Sequence, residues 1–314
     1  MPERVEAFLL VGPTAAGKTV VAQHLAEQDD AEILSADAML VYRGMDIGTA
    51  KPTRAERDRV RYWGIDLVNP GDPFSVARFR TVAQEAAESA RRAGRKLIVV
   101  GGTGLYIKVL LHGLDELPHS LPEVRARWQA VLGHDGVAAL QEALRQRAPG
   151  WLETLSDPAN GRRLMRALEL VEAGLTAPPA SWKQGGGLPE IVGLTAERGL
   201  LEARIRERVV AMYDAGFLRE VAGLLAQRAF AEWPTAAQAV GYAEAASCLA
   251  GSLSEAEARE RTVIRTRQLA KRQMTWFRNQ CRVRWVEWGQ GDVATTAEQV
   301  RACWSATGPT PLAF

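Results

Sequence analysis

Short, mainly apolar runs at 7–11, 32–34, 64–68, 96–100 and 190–194 are each the length of a buried strand. Between most of them, apolar residues recur three and four apart, the spacing of a helix face. This alternation predicts an α/β fold, a parallel sheet flanked by helices. From 117 to 187 the pattern changes to helical segments with no strand, PEVRARWQAVLG and NGRRLMRALELVEAG, closed by the Gly- and Pro-rich stretch TAPPASWKQGGG. After the strand PEIVGL come two long amphipathic stretches, 200–227 and 254–280, read as helices that return the chain to the core. The expected organisation is a core over 1–116, a helical insertion domain over 117–188, and completion of the core over 189–314.

The first run leads into GPTAAGKT, where Gly12, Gly17, Lys18 and Thr19 fill the template G-x-x-x-x-G-K-[ST] between a strand and a helix. Backbone N–H groups from Gly12, Pro13, Thr14, Ala15, Ala16 and Gly17 (proline supplying none) can curl around an anion, with the helix N-terminus adding partial positive charge. Lys18 reaches phosphate oxygens, and Thr19 can ligate Mg²⁺. A phosphorylated ligand follows, but the reaction stays open: the phosphate can be transferred, hydrolysed, or leave as a group.

Composition narrows the class. The chain has 314 residues and 47% hydrophobic content, enough for a sizeable core. Its first apolar run is too short to span a membrane and lacks a small-residue cleavage site, so the expected location is the cytoplasm. Three cysteines and four histidines show no ligand spacing, which argues against a zinc site or disulfide frame. Net charge is only +2, yet Arg259, Arg261, Arg265, Arg267, Lys271, Arg272, Arg278, Arg282 and Arg284 crowd one C-terminal stretch beside Trp276, Phe277 and Trp285. Such a run is either a solvated helix face or a surface for unpaired bases.

Three further clusters carry candidate chemistry. Asp37 follows the second strand, where ligands of open α/β sheets bind; it is a turn cap or a general base. The loop RGMDIGTAKP after it can close over a ligand. The fourth strand ends in Gly101, Gly102, Thr103 and Gly104, offering a hydroxyl near Asp37, or simply close packing. An ordinary phosphate-loop ATPase places an acid at such a strand end, so this turn counts against that class. Arg204 and Arg208, four apart, share a helix face: both are ion-paired surface residues, or one adds a donor at the phosphate loop.

The blocks GPTAAGKT, DAMLVYRGMDIGTAKP, VGGTGLYIKVLL, RRLMRALEL, TAAQAVGY and TRQLAKRQMTWFR, in this order between Phe8 and Trp288, resemble those of tRNA dimethylallyltransferases, the tRNA isopentenyltransferases. The resemblance implies transfer of a dimethylallyl group from dimethylallyl diphosphate to the exocyclic amine of the adenine just 3′ of the anticodon, in tRNAs reading codons that begin with U. It implies that residues 12–19 and Arg208 hold the leaving diphosphate with Mg²⁺ at Thr19, that Asp37 is the base, and that Thr103 orients the amine. It further implies tRNA contacts at Asp37, Ala38, Met39, Leu40 and Thr103 around an extruded adenine. On the anticodon stem-loop the implied contacts are Arg125, Arg162, Arg163, Leu164, Met165, Arg166, Gln238, Gly241, Tyr242, Lys271, Arg272, Gln273, Trp276 and Arg278. Contacts to the RNA backbone should weaken as salt rises. The chain departs from the pattern at Ala38, where the family commonly has serine, at Tyr62 and Trp63 in place of histidines, and at Asn160 near an expected acid. Two competing readings are a small-molecule kinase with a lid-like insertion and a non-catalytic RNA-binding protein. No motif for self-association is legible, so a monomer is expected.

Overall fold

The computed structural model describes residues 5–114, 117–155, 157–175, 189–233, 235–289 and 291–314. Among these, the chain divides into two units, one of residues 1–113 with 187–314 and one of 114–186. The stretch TAPPASWKQGGG lies outside the described residues.

The larger unit opens with β1 (Glu6–Val11), α1 (Lys18–Asp29), β2 (Ala31–Ser35), α2 (Arg54–Arg59), β3 (Tyr62–Trp63), α3 (Val76–Arg92), β4 (Lys96–Gly101) and α4 (Gly104–His112). The smaller unit follows with α5 (Pro122–Arg147), α6 (Trp151–Thr154) and α7 (Gly161–Glu172). The chain then re-enters the larger unit with β5 (Glu190–Thr195), α8 (Arg198–Asp214), α9 (Phe217–Gln227), α10 (Tyr242–Leu249), α11 (Glu255–Gln280), β6 (Arg282–Glu287), α12 (Val293–Thr307) and β7 (Thr310–Pro311). Strand order is β3-β2-β4-β1-β5-β6, all parallel, with β7 added antiparallel to the start of β1. This is the α/β class that the alternation predicts.

Both faces of the sheet are buried, as a parallel sheet requires. Leu10, Ile33, Ile98 and Val192 pack with Val21, Ala22 and Leu25 of α1 and Val300 of α12 on one face. Their strand neighbours Leu9, Val11, Leu34 and Val99 pack with Phe79 of α3, Ile107 of α4 and the α8–α11 helices on the other. Because every long strand runs the same way, the turns after β1, β2, β4 and β5 meet at one edge, the edge where α/β sheets bind ligands.

Three elements differ from the sequence pattern. The run at 64–68 is not the third strand: Asp66 takes φ 55°, which no ladder residue can hold. The strand lies just before it at Tyr62–Trp63, while Val68 forms an isolated bridge with Tyr42. The stretch 200–227 is two helices, broken where Gly216 adopts φ 97°. The charged stretch 282–287 is a strand, β6, whose Arg284 and Arg282 pair with Glu190 of β5 at 2.8 and 3.9 Å. Alternation there was masked by its arginines.

In the smaller unit, Trp128, Leu140, Leu144, Trp151, Leu164 and Leu168 form a core of their own. Asn160 caps α7, its Oδ1 accepting from the Arg162 and Arg163 amides at 3.2 and 3.3 Å, so the amide serves where an acid was expected.

Candidate active site

The phosphate loop is preshaped. Gly12, Ala15 and Gly17 all have positive φ, at 143°, 62° and 87°, so the chain curls tightly before α1 begins at Lys18. Gly17 is required twice over, because a Cβ there would also lie 1.8 Å from the Trp288 ring. Lys18 is only 9% exposed, and its Nζ donates to the Pro13 carbonyl at 2.7 Å, folding the ammonium back over its own loop. Burial lowers the Lys18 pKa to about 8, the nearby Asp37 carboxylate opposing and Arg208 reinforcing the shift.

Arg208 and Arg204 divide the alternatives left open by sequence. Neither pairs with a carboxylate among the described residues. Arg208 points at the loop, its Nη1 donating to Thr14 Oγ1 and its Nη2 to the Thr49 carbonyl, each at 3.2 Å. Its pKa is pushed down by burial, with Asp37 opposing. Arg204 instead lies 4.6 Å over the Trp288 ring and donates to the Gly289 carbonyl at 3.4 Å.

Asp37 sits just past β2, half-buried, and its Oδ1 accepts from the Met39 amide at 2.9 Å. That is the turn-capping role. Its Oδ2 has no hydrogen-bond partner among the described residues, so the same carboxylate keeps a free oxygen. Thr103, just past β4, accepts from the Ala38 amide at 3.0 Å and thereby ties the two strand-end turns together. Lys18, Thr19, Asp37, Thr103's neighbours Gly101 and Gly102, and Arg208 converge on one polar cavity. A second cavity, lined by Met39, Val209, Met212, Val240 and Leu269, shares Thr14, Asp37, Thr49, Arg208 and Gln273 with the first. A polar compartment lined by Lys18 and Arg208 and a more apolar compartment thus adjoin at Asp37 and Arg208.

The loop DIGTAKP is clamped against this site. Lys51, its side chain almost wholly buried, donates to Asp46 Oδ1 and Asp66 Oδ1 at 2.6 Å and to the Tyr42 carbonyl at 2.8 Å. Glu220 of α9 accepts from the amides of Asp46, Ile47 and Gly48 and from the Tyr242 hydroxyl. These bonds fix Thr49, whose carbonyl holds Arg208. Tyr242→Phe is expected to cost about 1–2 kcal/mol of stability, because Glu220 loses a buried donor at 2.7 Å; denaturant unfolding measures it.

Comparison with known proteins shows the family. The family model described as IPP transferase matches residues 40–280, and that described as Isopentenyl transferase matches residues 5–67. The chain belongs to the IPP transferase family. It is 42% identical over 304 residues to a tRNA dimethylallyltransferase of Nocardioides sp., covering 96% of this chain and 97% of that one. It is 39% identical over 298 residues to the enzyme of the same description from Acidothermus cellulolyticus, covering 94% and 93%. The solved full-length tRNA isopentenylpyrophosphate transferase of Bacillus halodurans superposes with a TM-score of 0.70 at 34% identity, covering 97% of each chain.

Set against this IPP transferase frame, the residues expected to touch tRNA separate into groups. Lys271, Arg272 and Arg278 are exposed on α11 and unpaired among the described residues, whereas the exposed Arg261 faces the Glu257 carboxylate one turn earlier. The rest of the basic run is largely spent on ion pairs: Arg259 with Asp214 and Glu255, Arg265 with Glu244, Arg267 with Glu202. Trp285, half-buried, packs over Gly193 of the neighbouring strand. Tyr242 and Gly241 are buried, Tyr242 edge-on to Phe217 at 5.0 Å, so they brace the DIGTAKP loop and cannot meet RNA directly. Gln238 is exposed beside them.

Gln273 is not on the outer face of α11. Its Oε1 accepts from the Thr14 amide at 2.8 Å and its Nε2 donates to the Gly102 carbonyl at 3.1 Å, joining the phosphate loop to the GGTG turn. Trp276 lies over Gly104. Ala38, Met39 and Leu40 are half-buried around Asp37. In the smaller unit Leu164 and Met165 belong to the core, whereas Arg162 and Arg163 are exposed. Arg125 and Arg166 both pair with Glu169, whose side chain is 2% exposed, at 2.9 and 3.3 Å, yet Arg125 keeps 60% of its own surface free.

Thr49, Glu220 and Trp288 escaped the sequence reading. Thr49 lies within the loop RGMDIGTAKP, whose pattern marks the segment but not the residue; Glu220 and Trp288 carry no local signal.

Proposed function

We propose that this chain transfers the dimethylallyl group of dimethylallyl diphosphate to the exocyclic N6 amine of the adenine just 3′ of the anticodon, in tRNAs reading codons that begin with U. The observation that carries the reading is the single cavity that joins a diphosphate cradle to a carboxylate with one free oxygen, Asp37 Oδ2, and that lacks a strand-end acid after β4. Membership of the IPP transferase family supports it.

Charge grows on the diphosphate as the allylic carbon–oxygen bond breaks. Loop amides, Lys18 and Arg208 already line the cavity where that charge grows, so little more than release of Lys18 from the Pro13 carbonyl is needed for them to stabilise it. An adenine amine is a weak nucleophile, its lone pair delocalised into the ring. Asp37 accepts its proton as the carbon–nitrogen bond forms, and Thr103 holds the turn that carries Asp37. The base must first leave its stack in the anticodon loop. Exposed Lys271, Arg272 and Arg278 are suited to the RNA backbone.

The donor set fits magnesium. No cluster of three His, Cys, Asp or Glu exists among the described residues, and the cavity offers the Thr19 hydroxyl, its carboxylate Asp37 being engaged by the Met39 amide and reserved for the amine proton. A hard ion that keeps waters and takes substrate phosphate oxygens needs little more. Bound there, Mg²⁺ would neutralise charge on the leaving diphosphate. The reading places a monomer in the cytoplasm with its tRNA; among the described residues no helix is long and apolar enough to cross a membrane.

The test is product analysis. Incubated with dimethylallyl diphosphate, ATP and unmodified tRNA, the protein is expected to yield prenylated adenine and no ADP. Rapid ADP formation with unmodified tRNA recovered would overturn the reading in favour of a kinase.

A further inference from the structure

Ser35 ends β2 at the ligand-binding edge of the sheet. Side chains alternate along a strand, so Ser35 shares the side of Ile33, which packs with Val21, Ala22 and Leu25 of α1. Its hydroxyl therefore lies on the side of the helix whose first residues are Lys18 and Thr19. The residue is 2% exposed, and its Oγ, shut off from bulk solvent, has no hydrogen-bond partner among the described residues. It nevertheless lines the anion cavity, together with Thr19 and Asp37.

A buried hydroxyl without a partner destabilises the fold that holds it, so its presence at a ligand cavity points to a partner that arrives with the ligand. The chemistry of the cavity says which. Phosphate-loop enzymes that use Mg²⁺ hold its shell with an acid at a strand end as well as with the loop hydroxyl. Here β4 ends in Gly101 and offers no side chain. Asp37, the one carboxylate in the cavity, has Oδ1 engaged by the Met39 amide and Oδ2 assigned to the amine proton. Tyr62 also brings an oxygen to the α1 side of the cavity, but its hydroxyl already donates to Gln23 Oε1 at 2.6 Å, which leaves Ser35, on the strand beside β4 and paired through Val100, as the oxygen there without a partner among the described residues.

We infer that Ser35 Oγ is a positioning group for the metal: it would accept a hydrogen bond from a water in the shell of Mg²⁺ held at Thr19. The inference rests on the proposed transfer reaction, which supplies the metal–diphosphate ligand.

The test titrates Mn²⁺, a paramagnetic substitute for Mg²⁺, into the full chain carrying one equivalent of dimethylallyl S-thiolodiphosphate, with free ion read by EPR. Ser35→Ala is expected to weaken Mn²⁺ binding by about 10-fold, the usual loss when a shell partner of a metal site is removed. Ser35→Thr, which keeps the hydroxyl, is expected to restore it. In EDTA, affinity for the analogue alone should be the same in Ser35→Ala and the parent, and the melting temperature should hold or rise because an orphan polar group is gone. Unchanged Mn²⁺ affinity overturns the assignment. An equal loss in EDTA overturns it too, since the hydroxyl would then bind phosphate itself, and a fall in melting temperature shows a structural partner instead. Prenylation by the parent chain is assayed alongside: failure there defeats the reaction, whereas normal prenylation with unaltered Mn²⁺ binding in Ser35→Ala defeats only the role of Ser35.

Discussion

Asp37→Asn is expected to lower the rate of prenyl transfer by about 10²–10⁴-fold, the span that a positioned general base contributes, while leaving tRNA affinity within about 3-fold of the parent. Asparagine is the informative substitution. Its Oδ1 can still accept from the Met39 amide, which Asp37 now engages at 2.9 Å, so the turn after β2 survives and only proton acceptance is lost. Thr103 continues to hold the Ala38 amide. Asp37→Ala removes both functions, and a further loss beyond that of asparagine measures the turn. Single-turnover assays at saturating substrates, with filter binding for tRNA, separate the two. Transfer by Asp37→Asn at close to the parent rate would place the base elsewhere.

The same substitution reaches the phosphate loop through charge. Asp37 is the group that opposes the downward shift at Lys18 and at Arg208. Removing its charge should lower the Lys18 pKa further, so Asp37→Asn should weaken diphosphate binding at alkaline pH more than at neutral pH. On the proposed reaction Asp37 would serve both as the base for the nucleophile and as a counter-charge for the cation that holds the leaving group. That coupling is a property of the fold, since two successive strand ends bring Asp37 and the phosphate loop to one edge.

What could be read from the sequence was whatever is encoded locally. GPTAAGKT carries its own strand, glycines and helix start, so the loop and α1 are where the pattern puts them. The strand-end turns at Asp37 and Gly101–Gly104 were legible because parallel order fixes which end of a strand faces a ligand. Roles set by long-range packing were not. Tyr242 lies in a motif that resembles an RNA contact, but it is fully buried and holds Glu220, which in turn holds residues 46–48. Gln273 sits in a basic helix, yet its amide spans 259 residues of sequence to meet Thr14. In β6, cationic side chains hid an alternating strand because Arg284 finds its acid, Glu190, on the neighbouring strand, a pairing that only the folded sheet supplies.

Lys18→Met should reduce kcat/KM for dimethylallyl diphosphate by about 10²–10³-fold, comparable to deleting one preorganised donor to a developing anion. The pH profile identifies the residue. With its pKa near 8, Lys18 is charged below that value and neutral above it, so kcat/KM for the diphosphate substrate should fall as pH rises through about 8. A bound diphosphate favours the charged form, which moves the corresponding limb in kcat to higher pH. In Lys18→Met the limb near 8 should vanish. Stability runs the other way. An unfolded chain returns Lys18 to its ordinary value of 10.5 and so binds more protons than the folded chain between about 8 and 10.5. Folding therefore becomes more favourable as pH rises through that window, and below it the full cost of a charged, buried ammonium is present. Lys18→Met removes that cost, so at pH 7 it should unfold at an equal or higher denaturant concentration than the parent while having lost most of its activity. A midpoint that drops along with activity would mean that Lys18 serves mainly to anchor Pro13, not to hold a charge for a departing diphosphate.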